Sequence, residues 1–176
     1  MDCFSKRGLW VAETFKYISA CKPLELVRVK INAQALFAIV GAKGGQSYQP
    51  LVVLSATDAP WVINLLPQGR IDGDFDAYQV LAYGDYAIEP DHSQKCEVGE
   101  GGLFTAAGSV VVTEDDRWLT VRMESRIGYL SLTTGALRSE PGGARAAFAK
   151  WYVQRPGKPD PLLTFGYVGD AEPSTA

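Results

Sequence analysis

The stretch Leu24-Glu25-Leu26-Val27-Arg28-Val29-Lys30-Ile31 decides the fold class. Side chains on an extended strand point alternately to two faces. Val27, Val29 and Ile31 therefore share one side, and Arg28 and Lys30 the other. Outward from this stretch, runs rich in Val, Ile, Tyr, Phe and Trp lie at 36–40, 51–54, 61–66, 78–83, 110–113, 118–123, 128–133 and 162–168. These residue types fit the pleated surface of a sheet. Turn formers separate the runs: Gly41-Ala42-Lys43-Gly44-Gly45, Asp58-Ala59-Pro60, Pro67-Gln68-Gly69, Asp72-Gly73-Asp74, Glu114-Asp115-Asp116 and Thr134-Gly135. About ten short strands spaced by turns predict an all-β chain, an antiparallel barrel or sandwich.

Helical signal is sparse. Residues 13–20 carry a weak one. Residues 143–154 hold four alanines, which favour helix, but also Phe148, Trp151, Tyr152 and Val153, which favour strand equally. Pro156-Gly157-Lys158-Pro159-Asp160-Pro161 lacks the donors for a ladder and reads as an extended connector. Residues 1–168 read as one domain and 169–176 as a flexible tail.

The composition fits that reading. The chain has 176 residues, 47% apolar and 21% charged, the values of a single globular domain. Basic and acidic residues number 17 and 20, and neither half of the chain has a basic excess. Polyanion binding needs clustered Lys and Arg, so nucleic acid is excluded as an expected partner. Cys3, Cys21 and Cys96 are odd in number and irregular in spacing, a poor disulfide framework. Asp2, Lys6, Arg7, Glu13 and Lys16 interrupt the N-terminal stretch, leaving no apolar core of a leader. No run approaches the ~18 apolar residues of a membrane span. The expected location is cytoplasmic, without a membrane partner.

Three stretches pair an aromatic-apolar strand with a later Trp-apolar one: Phe37 with Trp61, Tyr86 with Trp118, and Tyr129 with Trp151. Repeats of this kind indicate a pseudo-symmetric architecture. The segment Ser125-Arg126-Ile127-Gly128-Tyr129-Leu130-Ser131-Leu132-Thr133-Thr134-Gly135-Ala136-Leu137-Arg138-Ser139, followed by Phe148 and Trp151, resembles one repeat of a fascin-like or ricin-B-like β-trefoil. Phe37, Lys43-Gly44, Pro50, Trp61-Val62-Ile63, Pro67 and Tyr78 are similar to the pattern of fungal mycocypins, trefoil protease inhibitors. The ricin-type Gln-x-Trp is absent, since Ala59, Asp116 and Ala149 stand two before the tryptophans. A competing likeness is to lipocalins. Gly8-Leu9-Trp10 is similar to their Gly-x-Trp signature, and Asp74-Phe75-Asp76-Ala77-Tyr78 to their later Asp-Tyr segment. The trefoil resemblance implies a barrel packed with its own side chains. The lipocalin resemblance implies a calycin barrel hollow enough for a small hydrophobic ligand.

No catalytic constellation emerges. His92, the single histidine, and Cys96 could form a dyad but stand in the polar loop Glu89-Pro90-Asp91-His92-Ser93-Gln94-Lys95-Cys96, and they supply only two of the four ligands of a structural zinc. Asp72, Asp74 and Asp76 alternate like calcium ligands, but Ala77 and Tyr83 break the EF-hand pattern. Gly41 to Gly45 lacks the Gly-Lys-Ser/Thr ending of a phosphate loop, and no Gly-x-Ser-x-Gly elbow occurs. The expectation is a non-catalytic binding protein acting through surface loops, without metal or cofactor. By the mycocypin likeness the activity is protease inhibition. A glycan-binding module and a lipocalin-like carrier are the alternatives. The expected contact residues are Lys43, Gly44, Gly45 and Gln46 in one loop, Asp91 and His92 in another, and Trp10 near the N-terminus.

Overall fold

The computed structural model of the chain describes residues 14–31, 34–55, 58–65, 79–93, 107–141, 143 and 146–166. These residues form fourteen strands and one 3₁₀ turn, Ile18–Ala20. The first seven strands are β1 (Thr14–Tyr17), β2 (Leu26–Ile31), β3 (Gln34–Val40), β4 (Gln49–Leu54), β5 (Trp61–Leu65), β6 (Gln79–Ala82) and β7 (Ala87–Pro90). The second seven are β8 (Val110–Val112), β9 (Arg117–Met123), β10 (Arg126–Ser131), β11 (Leu137–Arg138), β12 (Ala146–Phe148), β13 (Trp151–Gln154) and β14 (Leu163–Phe165). Both ambiguous stretches resolve toward strand. Residues 14–17 pair with β6, Thr14 opposite Ala82 and Tyr17 opposite Gln79. The alanine-rich stretch breaks into β12 and β13, because Phe148 and Trp151 are drawn into ladders with Val110 and Pro90. Tertiary pairing overrides local propensity in both places.

Eleven strands form one sheet, ordered β1-β6-β2-β3-β4-β5-β9-β10-β11, with β8 paired to β9 and β12 to β8. A second sheet has the order β14-β13-β7. Every ladder is antiparallel except one parallel bridge, Trp61 to Arg122. The order among the described residues is open, with β1 and β11 at its ends. These strands therefore form open sheets and not the closed barrel that the sequence suggested.

Two cores explain the burial pattern. Leu26, Ile39, Val52, Leu54, Leu119 and Leu130 of the large sheet meet Ile88, Trp151, Val153 and Phe165 of the small one. The opposite face of the large sheet carries a second cluster with Val27, Val29, Ala38, Val40, Leu51 and Val53, joined by Ile18 and Val80. Strands β3 and β4 are thus apolar on both sides. All six residues of β4 are buried, which is why the run Leu51-Val52-Val53-Leu54 shows no alternation. On β2 the expected face of Val27 and Val29 is buried and Arg28 and Lys30 are exposed, while Leu26, on the charged side, reaches the inter-sheet core.

The three repeat tryptophans do not occupy equivalent places. Trp151 lies in the inter-sheet core, Trp61 packs against the second cluster, and Trp118 belongs to a third cluster with Val111, Tyr129 and Ala147. The pseudo-threefold equivalence read from their spacing is corrected accordingly. β5, β9 and β13 enter different ladders, and each indole takes the apolar surroundings of its own face.

Candidate functional site

The loop between β3 and β4 is presented on a pinned base. Gly41 donates its N–H to the Pro50 carbonyl at 2.9 Å, and the Gln49 side-chain amide donates to the Gly41 carbonyl at 2.6 Å. Ala42 donates to the Gly135 carbonyl at 2.7 Å, and Leu24 to the Val40 carbonyl at 2.7 Å. A Cβ at Gly41 would lie 3.0 Å from the Pro50 ring, so a larger residue there would push the ring aside. Beyond the base the chain turns, Gln46 donating to the Lys43 carbonyl at 2.9 Å. Lys43, Gly44, Gly45 and Gln46 are all exposed. Gly44 and Gly45 have φ of +56° and +83°, the left-handed region where a side chain is strained.

Asp91 and His92 follow β7 and lie on a separate turn. Asp91 donates its N–H to the Lys150 carbonyl at 2.9 Å. Its Oδ1 accepts from the Ser93 N–H at 3.0 Å and the Ser93 hydroxyl at 2.6 Å. Those two bonds hold the Asp91 carboxyl below the usual carboxylate range. The His92 ring meets Phe148 edge-on, with centroids 5.2 Å apart. The imidazole is thus an exposed ring leaning on an apolar one. Trp10, Cys96 and the 72–76 carboxylates lie outside the described residues. Among the described residues no group of three or more His, Cys, Asp or Glu side chains could hold a metal ion.

Sequence reasoning missed a cleft of about 310 Å³ where the inter-sheet core opens at one end. Leu24, Ile88 and Leu132 line it together with Tyr86, Glu89 and Arg117. Leu24, Tyr86 and Leu132 pack against the core and Ile88 belongs to it, so the cleft floor is an exposed rim of core. Leu24 has φ +66°, a conformation that costs a residue with a Cβ on the order of 1–2 kcal/mol. Its bond to Val40 and its packing against the core hold it there. Burial pushes the pKa of the Tyr86 hydroxyl up. The Arg117 guanidinium and Glu89 carboxylate stand 3.9 Å apart, both about half exposed. Arg117 is fixed at backbone level: its carbonyl accepts from Leu132 N–H at 2.8 Å, and its N–H donates to Asp116 Oδ1 at 2.7 Å. No periodicity could reveal this site, because its walls come from residues more than a hundred positions apart.

Asp116 also gathers hydroxyls. Its Oδ2 accepts from Ser131 Oγ at 2.5 Å and its Oδ1 from Thr133 Oγ1 at 2.6 Å. Ser131 Oγ in turn accepts from the N–H of Thr134 at 3.0 Å. This carboxylate closes the turn after β10 against the start of β9. These bonds fix the turn at 131–134. No helix among the described residues is long and apolar enough to cross a membrane.

Comparison with protein-family models, curated proteins and solved structures returned no match. What this chain does must be argued from its own geometry.

Proposed function

We propose that the chain is a non-catalytic binding protein whose 43–46 loop engages a protein partner, and that the partner is a protease. One observation carries the proposal: an exposed four-residue turn stands on a base tied by bonds of 2.6 to 2.9 Å to three other segments. A loop already held in one conformation loses little entropy on binding, so more of its contact energy appears as affinity. An enzyme cleft accommodates a protruding, rigid turn, and the Lys43 ammonium suits an acidic specificity pocket.

The trefoil form of the scaffold belongs to this proposal for residues 125–139 with Phe148 and Trp151. The Gly128-Tyr129-Leu130 strand β10 and the later Trp151 strand β13 support it. The separate settings of Trp61 and Trp118 argue against extending it. The cytoplasmic location is proposed on the odd number of cysteines.

The test is inhibition of trypsin-like and papain-like proteases by the full chain at micromolar concentration. Inhibition by the wild type, lost in Lys43→Ala with an unchanged melting temperature, is expected. Full protease activity across both classes would overturn the proposal.

A further inference from the structure

We infer that the cleft between the two sheets binds a small zwitterion with an apolar side chain, the chemistry of a free aliphatic α-amino acid, held between Arg117 and Glu89. This site is separate from the loop proposed above and does not depend on it.

Three features of the cleft lead to that ligand. Its volume of about 310 Å³ sits at the low end for small-molecule pockets and suits a ligand of amino-acid size. Its floor of Leu24, Ile88 and Leu132 offers an apolar body a continuation of the inter-sheet core. Its rim carries one charge of each sign, and these are poorly satisfied by each other. At 3.9 Å the Arg117–Glu89 pair is well beyond the ~2.7–2.9 Å of a charge-assisted hydrogen bond.

Charge complementarity then selects among ligands. A lone carboxylate on Arg117 would face the Glu89 carboxylate, and a lone amine on Glu89 would face the Arg117 guanidinium. A zwitterion presents a carboxylate to Arg117, where two parallel N–H donors can engage it, and an ammonium to Glu89. Tyr86 stands in the same lining, and its hydroxyl is a further donor. The strained Leu24 fits the picture: backbone strain is retained where the surroundings fix a side chain in place, and here that side chain lines the cleft.

The experiment titrates the full chain with L-leucine, N-acetyl-leucine and leucinamide, followed by calorimetry and amide chemical shifts. Saturable binding of leucine at millimolar or lower concentration is expected, weakened roughly tenfold or more when either charge of the ligand is blocked. Arg117→Gln and Glu89→Gln should each weaken leucine by a similar factor. Both should keep the wild-type melt, since an exposed pair is worth only about 0–1 kcal/mol. The inference is overturned by a folded protein that leucine does not saturate at about 10 mM, or by equal binding of all three ligands. Tighter binding of N-acetyl-leucine to Glu89→Gln than of leucine to the wild type would also overturn it, showing a carboxylate site. Lys43→Ala should leave leucine binding intact, so failure here and failure of the protease proposal are distinguishable.

Discussion

Replacing Trp151 by Phe tests how the two sheets are held together. The indole is fully buried, stacks on Phe165 with ring centroids 3.9 Å apart, and donates its N–H to the Gly108 carbonyl at 2.7 Å. Gly108 is itself fixed to β9, donating to the Thr120 carbonyl at 2.9 Å. One side chain of the small sheet is thereby bonded to the flank of the large one. Phe removes the donor and leaves the carbonyl short of its partner, at about 1–3 kcal/mol. The smaller ring leaves unfilled volume worth roughly a further 1 kcal/mol. The expected loss is about 2–4 kcal/mol, with a fall in Tm of roughly 5–15 °C for a chain of this size.

Trp118→Phe is the matched control. Trp118 is also buried, but its indole N–H has no partner among the described residues, so phenylalanine removes an unsatisfied donor along with the lost volume. It also puts a weaker cation–π acceptor under the Arg138 guanidinium, which sits over the indole at 5.5 Å, so at most part of a contact worth about 0.5–1 kcal/mol is lost. These effects oppose, and the expected change is under about 1 kcal/mol. Urea unfolding of both variants at one pH decides it. If Trp151→Phe costs less than about 1 kcal/mol, or no more than Trp118→Phe, the bond to Gly108 is not holding the sheets and the argument fails.

Other outcomes follow from single positions. Gly135 has φ +74°, and a Cβ there would lie 3.0 Å from Pro23 and 3.4 Å from two backbone nitrogens. Gly135→Ala should cost about 2–3 kcal/mol in urea, against about 1 kcal/mol for Gly44→Ala, which meets only conformational strain. Asp116→Ala leaves Ser131 and Thr133 without their acceptor and should cost about 2–3 kcal/mol, with amide exchange rising first at residues 131–135. Burial, then the neighbouring Glu25 carboxylate, pushes the Cys21 thiol up to about 11 from 9.0. In a Cys3→Ser/Cys96→Ser background its alkylation should stay slow at neutral pH and accelerate as pH nears 11. The native state keeps this proton where the unfolded chain has lost it. The resulting stability is full below pH 9.0 and lost as pH rises toward 11, which a denaturation series across that window measures.

What the sequence reveals here is what a local pattern can encode. The alternation at 27–30 places Val27 and Val29 inside and Arg28 and Lys30 outside, because one strand's two faces see two environments. The turns at 41–45, 58–60, 114–116 and 134–135 fall where Gly, Asp and Pro put them. Pairing partners leave no such mark. That β6 returns to lie between β1 and β2, or that β13 joins β7, depends on which apolar faces find each other across sixty residues. The tryptophan spacing misleads for the same reason: similar strands at similar intervals entered different ladders, and only Trp151 reached the inter-sheet core. The functional residues divide along the same line. Lys43 and its glycines are visible because a turn is local chemistry. Arg117, Glu89 and Leu24 are not, because each reads as an ordinary strand or strand-flanking residue until β7 and β9 are brought together. A cleft walled by residues that no pattern singles out was positioned by packing, so its chemistry is best probed by the ligand that satisfies both of its charges at once.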